Sequence, residues 1–252
     1  MLALGARALR SSLDQTTYAE DMEVARRLAE GCIWSYLSTP TGIGPEIFRT
    51  LPCRIGRDAV TSGRESDESG NFGNCTWDED RWLSGLLRVP RINDKEPNGR
   101  KHWAEDHSLG AGFTHIQEPK YILRPEAIES VFILYRTTGD EALRDYAWQM
   151  FQAIIRFTRT DFAFASLKDV MTTPVSGEED DLGRPVLNEG VMQTDNMESF
   201  WTAETLKYFY LIFEDSDVVS LDEWVLNTEA HPFRWRAGSG RSRGGADGLA
   251  PS

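Results

Sequence analysis

Two amphipathic runs placed back to back constrain this chain most. After Pro125, which suits a first helical position, Ile128, Val131, Phe132 and Tyr135 recur three and four residues apart until Thr138-Gly139 ends the run. Asp140 starts a second run, with Leu143, Tyr146, Ala147, Met150, Phe151, Ile154 and Ile155 on one face. So short a connection predicts an αα-hairpin, because consecutive helices joined this way fold back on each other.

The remaining segments extend that pattern. Residues 17 to 37 read as an amphipathic helix: Thr17-Tyr-Ala-Glu20 has capping-box form, Ala25, Leu28, Cys32 and Ile33 follow at helical spacing, and Thr39-Pro-Thr-Gly42 lies beyond its end. Asp195-Asn-Met-Glu198 is a further capping box, before a helix whose Phe200, Trp201, Leu206, Phe209, Tyr210 and Phe213 form a wide aromatic face. Val225 to Pro232 is too short for a helix and reads as a short extended segment. No fixed-period repeat is visible. The fold class expected is all-α, built of antiparallel helical hairpins.

Three stretches do not fit that plan. Residues 50–120 read as a polar insertion, partly disordered. Ser62 to Asn71 has almost nothing to bury and Asn93 to Gly112 is nearly as polar, so only Trp77 to Leu87 is expected to dock. Thr172 to Gly190 is a polar connection. Residues 236–252 repeat Gly, Ser and Arg and read as a disordered tail after a folded part over 1–235.

Charge removes whole classes of partner. With 27 basic against 40 acidic side chains the net charge is −13, which repels phosphate backbones and anionic lipid, so nucleic acid is not an expected partner. The 8 Trp, 12 Phe and 7 Tyr are too many for a disordered chain, and no apolar run is long enough for a membrane segment. Met1 to Arg10 carries no signal-peptide pattern and reads as a helix interior entered without a cap, as in a truncated chain. Cys32, Cys53 and Cys75 are odd in number: either all are reduced or one lacks its partner within this sequence.

Several spacings could carry chemistry. Arg124-Pro-Glu-Ala-Ile-Glu129 puts Glu126 and Glu129 on one face of a first helical turn with Arg124 just outside, where carboxylates can hold a water or a sugar hydroxyl. Acidic residues there also simply complement the helix macrodipole. Phe200 and Glu204, four apart, pair an aromatic platform with a carboxylate, the combination carbohydrate sites use, though the same pair also marks the edge of a core. Asn227-Thr228-Glu229 offers a hydroxyl, a backbone carbonyl and a carboxylate, hard oxygen donors suited to Ca²⁺, as well as the makings of an ordinary turn. His231, before Pro232, is a lone histidine.

In order along the chain these segments resemble a known family. Thr41-Gly-Ile-Gly-Pro-Glu46, Tyr121-Ile-Leu-Arg-Pro-Glu-Ala-Ile-Glu-Ser130, Tyr135-Arg-Thr-Thr-Gly-Asp140, the run Met197 to Tyr210 and Asn227-Thr-Glu-Ala-His-Pro232 are similar to the C-terminal half of class I α-1,2-mannosidases, glycoside hydrolase family 47. The resemblance implies a partial (αα)7 barrel, closed at one end by a short C-terminal β-hairpin. It implies a calcium-dependent glycosidase that trims terminal α-1,2-linked mannose from high-mannose N-glycans with inversion, in the lumen of the endoplasmic reticulum or Golgi or secreted. By the same resemblance Glu126 matches the general base and Thr228 the protein ligand of calcium. Glu46, Glu129, Glu204 and Glu229 match the acidic shell around the calcium-bound waters and sugar hydroxyls, Arg124 its arginine, and Phe200 the aromatic under the ring.

Such an assignment is chemically coherent. An inverting glycosidase separates its acid and base by about 6.5–9.5 Å to leave room for a water, and a hard, water-rich cation orients that water and the sugar. The resemblance places the family's proton donor and a second essential acid in the N-terminal half, outside these residues. The expectation is therefore a glycosidase fragment, inactive alone. The alternative is a catalytically dead mannose-binding or helical-scaffold protein related to the mannosidase-like proteins of glycoprotein quality control. Cys53 and Cys75 are expected to pair, closing a loop worth roughly 3 kcal/mol, with Cys32 joined to a cysteine upstream of Met1. Asn74-Cys-Thr76 is a glycosylation sequon next to that bridge.

Overall fold

The computed structural model describes residues 15–51, 77–87, 98–172 and 193–234. It is mostly helical. Helix α1 (Gln15–Leu37) is followed by strand β1 (Ile47–Thr50), helices α2 (Glu79–Gly85) and α3 (Gly99–Asp106), and strand β2 (Phe113–Glu118). The hairpin α4 (Glu126–Thr138) and α5 (Ala142–Thr158) comes next, then the two-residue strands β3 (Ser166–Leu167) and β4 (Gln193–Thr194). A π-helical turn (Trp201–Thr205) runs directly into α6 (Leu206–Phe213), and strands β5 (Trp224–Leu226) and β6 (Pro232–Arg234) end the described chain.

The centre is α4. It packs against α1, α5 and the helix formed by the π turn and α6, and buries Ile128, Val131, Phe132, Ile133 and Leu134. Burial of five apolar side chains on more than one face is what a helix enclosed by neighbours requires. Gly139, at φ 72, stops α4, and its N–H donates to the Tyr135 carbonyl. Only a residue without Cβ adopts that backbone cheaply, which lets α5 start within three residues. Leu143, Ala147, Met150, Ile154 and Phe157 of α5 then face back onto the same core.

The expected hairpin is therefore present, with α5 opening at Ala142 rather than Asp140. Asp140 instead accepts from the Ala142 N–H at 3.2 Å and pairs with Arg26 of α1 at 3.0 Å. Two of the expected caps are not formed. Helix α1 already runs from Gln15, so Thr17 lies inside it, and Glu198 accepts from the Asn196 amide at 3.2 Å while the helix proper begins only after Phe200, without a side-chain cap.

The sequence reading understated the order in 50–120. Beyond Trp77 to Leu87, both α3 and β2 are built. β2 pairs antiparallel with β1, Phe48 opposite Ile116 and Arg49 opposite His115, with bulges on either side of that pair. Trp82, Leu86 and Ala104 form a small second core with Leu51, Leu83, Trp103 and Leu109 against them, and the Trp82 indole N–H donates to the Phe113 carbonyl at 2.7 Å. With three two-stranded ladders among the described residues, the fold is mostly helical rather than purely α. The extended C-terminal segment is the antiparallel hairpin β5–β6, Leu226 opposite Pro232. The tail 236–252, Cys53, Cys75 and Asn74 lie outside the described residues, whereas Cys32 carries a free, partly buried thiol whose pKa is raised by that burial.

Candidate active site

Four separate elements bring the acidic residues to one place, and each is held by identifiable bonds. Glu46 sits on the loop between α1 and β1. Thr39 Oγ1 accepts from the Ile43 N–H at 3.0 Å, Thr41 Oγ1 donates to the Val170 carbonyl at 2.9 Å, and the Glu46 N–H donates to the Lys120 carbonyl at 3.0 Å. Gly44 lies against the Tyr36 ring so closely that a Cβ there would be 2.7 Å from it. A larger residue would push the Pro45-Glu46 backbone away.

Glu126 and Glu129 occupy the first turn of α4, as expected. The chain reaches that turn through Leu123, fully buried with φ 70. Such a backbone costs an ordinary residue about 1–3 kcal/mol and persists only where its surroundings over-determine it. Here Thr205 Oγ1 donates to the Leu123 carbonyl at 2.7 Å. Phe200 and Glu204 come from the start and interior of the π turn, a wide turn that often marks functional sites. Thr228 and Glu229 form the tip of the β5–β6 hairpin, where Asn227 Oδ1 accepts from both the Glu229 N–H at 3.0 Å and the His231 N–H at 2.8 Å. That Asx turn fixes the tip without help from Thr228, whose side chain stays exposed.

Two groupings result. In the first, Arg124 Nε donates to Glu46 Oε2 at 2.6 Å, its Nη1 lies 3.7 Å from Glu126 Oε1, and its guanidinium carbon is 5.9 Å from the centre of the Phe200 ring. In the second, carboxylates crowd one another. Burial raises the pKa of Glu129, and repulsion from Glu126 and Glu204 adds to it. Burial likewise raises Glu204, reinforced by Glu126 and Glu229 and partly offset by Lys207 and His231. Glu126 belongs to both groupings. His231 lies 3.6 Å from Glu229 and is exposed, a rim residue rather than a centre.

Beneath the carboxylates lie three buried phenols, Tyr36, Tyr121 and Tyr208, to which the sequence assigned no role. Tyr36 and Tyr121 meet edge to face at 6.3 Å. Burial, with Glu46 and Glu126 nearby, raises both their pKa values far above the ordinary tyrosine range, and Tyr208 is raised by burial and by Glu129 and Glu204. They stay neutral, a floor that adds no further negative charge. Aromatics at helical spacing read as core, so no local pattern separates these three from their neighbours.

Every residue singled out from the sequence thus belongs to one locale: Arg124, Glu46, Glu126 and Phe200 by direct contact, Glu129, Glu204 and Glu229 by their mutual fields, and Thr228 as the neighbour of Glu229. The donor set fits a hard cation in one particular manner. Among the described residues no three His, Cys, Asp or Glu side chains converge as ligands, so a carboxylate cage is not available. A single exposed hydroxyl at the tip, next in sequence to Glu229, suits an ion that keeps most of its water. The locale combines acid groups, an arginine and an aromatic ring.

The chain matches the sequence profile of glycosyl hydrolase family 47 over residues 1–235. It is 31% identical over 240 residues to a mannosyl-oligosaccharide 1,2-alpha-mannosidase of Arabidopsis thaliana, covering 92% of this chain and 30% of that protein. It is 30% identical over 223 residues to a mannosyl-oligosaccharide alpha-1,2-mannosidase IA of Spodoptera frugiperda, covering 88% of this chain and 23% of that protein. Its fold matches an alpha-1,2-mannosidase from Trichoderma reesei with a TM-score of 0.55 and 30% identity, covering 92% of this chain and 38% of that one. The chain belongs to glycosyl hydrolase family 47, and it spans well under half the length of each of these relatives.

Proposed function

We propose that this chain supplies the water-activating, cation-binding side of an inverting α-1,2-mannosidase site that removes terminal mannose from high-mannose N-glycans in the secretory pathway. Family membership supports the activity and the substrate class. The observation that supports the site is that Glu126, Glu129, Glu204 and Glu229, from three elements, lie near enough for their charges to act on one another without forming a ligand cage, with Thr228 next to Glu229. Carboxylates held together against their mutual repulsion reduce stability unless a positive ligand uses them. The α4–α5 hairpin and the β5–β6 hairpin also suit a partial (αα)7 barrel, with the other hairpins, and the proton donor, supplied by the rest of the family fold.

Glu126 acts as general base in this reading. It is exposed, its Oε1 lies 3.7 Å from Arg124 Nη1, and an accessible carboxylate at that position can take a proton from water. Phe200 presents a ring face for the apolar side of the sugar, and Arg124 and Glu46 offer donor and acceptor to its hydroxyls. Thr228 would hold Ca²⁺, which when bound would orient the water and the sugar hydroxyls. Glu129, Glu204 and Glu229 accept hydrogen bonds from the bound waters and sugar.

Calcium titration of the purified chain, followed by its melting temperature, tests the cation half of the proposal. A calcium-linked rise that Thr228→Ala removes is expected. A parent chain indifferent to calcium would contradict it.

A further inference from the structure

Among the described residues, two non-glycine positions combine a left-handed backbone with complete burial: Leu123 at φ 70 and Ala230 at φ 56. Each adjoins a functional turn, Leu123 three residues before Glu126 and Ala230 two after Thr228. A side chain in this conformation crowds its own carbonyl, so the turn relaxes unless something outside it holds it. In both cases a bond from outside the turn comes from the same helix, at Ala230 in addition to the Asn227 bonds within the tip. Thr205 Oγ1 donates to the Leu123 carbonyl at 2.7 Å, and Lys207 Nζ donates to the Ala230 carbonyl at 2.9 Å. Two residues apart, side chains leave a helix on nearly opposite sides, so one helix reaches both turns, with Glu204 next to Thr205.

From these contacts we infer that Thr205 and Lys207 are positioning residues that clamp the Glu126 turn and the Thr228 turn onto one helix and so set the spacing between the base and the cation-binding tip. The roles of Glu126 and Thr228 rest on the mannosidase reading; the clamp itself does not. Neither residue touches the reacting groups in this assignment. The junction of π turn and α6 supplies the geometry: α6 starts where the wide turn ends, between the two donors.

Hydrogen exchange of the 252-residue chain in dilute calcium-free solution, read by mass spectrometry, tests the clamp. Thr205→Val keeps the side-chain shape and removes the donor. Peptides spanning 121–129 should then exchange about tenfold faster, the loss of one hydrogen bond, while α5 is unchanged. Lys207→Met should do the same for 227–231. Thr205→Ser keeps a hydroxyl and should match the parent. Unchanged exchange in Thr205→Val and Lys207→Met, uniform acceleration through every helix, or a Thr205→Ser variant behaving like Thr205→Val would each overturn the inference.

Calcium titration separates positioning from charge. Removing the Lys207 ammonium, which faces Glu204 and the Glu229 tip together with His231, should tighten cation binding if only charge matters. The clamp requires the opposite, an affinity about tenfold weaker in Lys207→Met. Tighter or equal binding overturns the positioning role. A parent that binds no calcium overturns the cation reading and the role assigned through it, while exchange still decides whether the clamp exists.

Discussion

Arg124 and Glu46 are 78 positions apart in sequence and 2.6 Å apart in space. Their bond joins the α1–β1 loop to the entrance of α4. Arg124 is half exposed, but the Glu46 side chain is only 9% exposed, so removing the arginine strands a nearly buried carboxylate. Arg124→Met is expected to lower stability by about 1–2 kcal/mol in urea unfolding. A cycle with Glu46→Gln should show that most of this loss is coupling between the two. Additive single and double variants would mean that the bond joins nothing.

The raised pKa values of Glu129 and Glu204 carry a sign. A carboxyl that holds its proton more tightly folded than unfolded adds nothing below its ordinary titration range, and it costs stability as pH rises from that range through the raised value. Without calcium the chain is therefore expected to be less stable at pH 7 than just above the ordinary carboxylate range, as far as these two groups contribute. Glu204→Gln should be more stable than the parent at neutral pH, with the gain vanishing on acidification. A gain that grows toward low pH would reverse the assignment.

Glu126→Gln, in a polypeptide that also carries the N-terminal half of the family fold, is expected to lower mannose release by about 10²–10⁴-fold while leaving sugar binding nearly intact. The amide keeps the volume and cannot accept the proton. Comparing kcat with the affinity for a mannosyl-oligosaccharide checks this, and near-parent turnover would remove Glu126 from the base role.

Expressed alone, the 252 residues are expected to release no mannose and to self-associate. The proton donor is proposed to come from elsewhere in the family fold. Trp148 of α5 and Phe213 of α6 are exposed and meet edge to face at 5.7 Å, and Tyr146 and Tyr210 are exposed on the same two helices. Contiguous aromatic surface of this kind favours association. Size-exclusion chromatography over a concentration series, with a mannose assay on the same fractions, checks both halves. A monomeric, active chain would place the acid between Met1 and Pro232.

What was legible in the sequence follows from what is local. The α4–α5 hairpin announced itself because period, proline and glycine all lie within one stretch, and the acidic shell became visible through motifs in order. The β1–β2 ladder did not. Phe113 to Glu118 mixes buried and exposed residues around two bulges, and its partner lies more than sixty positions away. Helix α3 escaped because Ala104 is its one fully buried residue, so it has no periodic face to detect. Thr205 and Lys207 escaped for a different reason. A threonine or lysine inside a helix is unremarkable until the carbonyl it reaches is known to sit in a left-handed turn.

The β1–β2 ladder has one more consequence. Neighbouring strands lie about 4.7–4.9 Å apart, so the polypeptide that departs after Thr50 and returns at Phe113 leaves and re-enters through a single narrow gate. Glu46 lies just before that gate and Arg124 just after it, and the ladder fixes both regardless of how much chain passes between. Lengthening such an excursion costs only about 0.6 kcal/mol per doubling. Sequence added within this excursion would therefore enter between two positions that the ladder already holds.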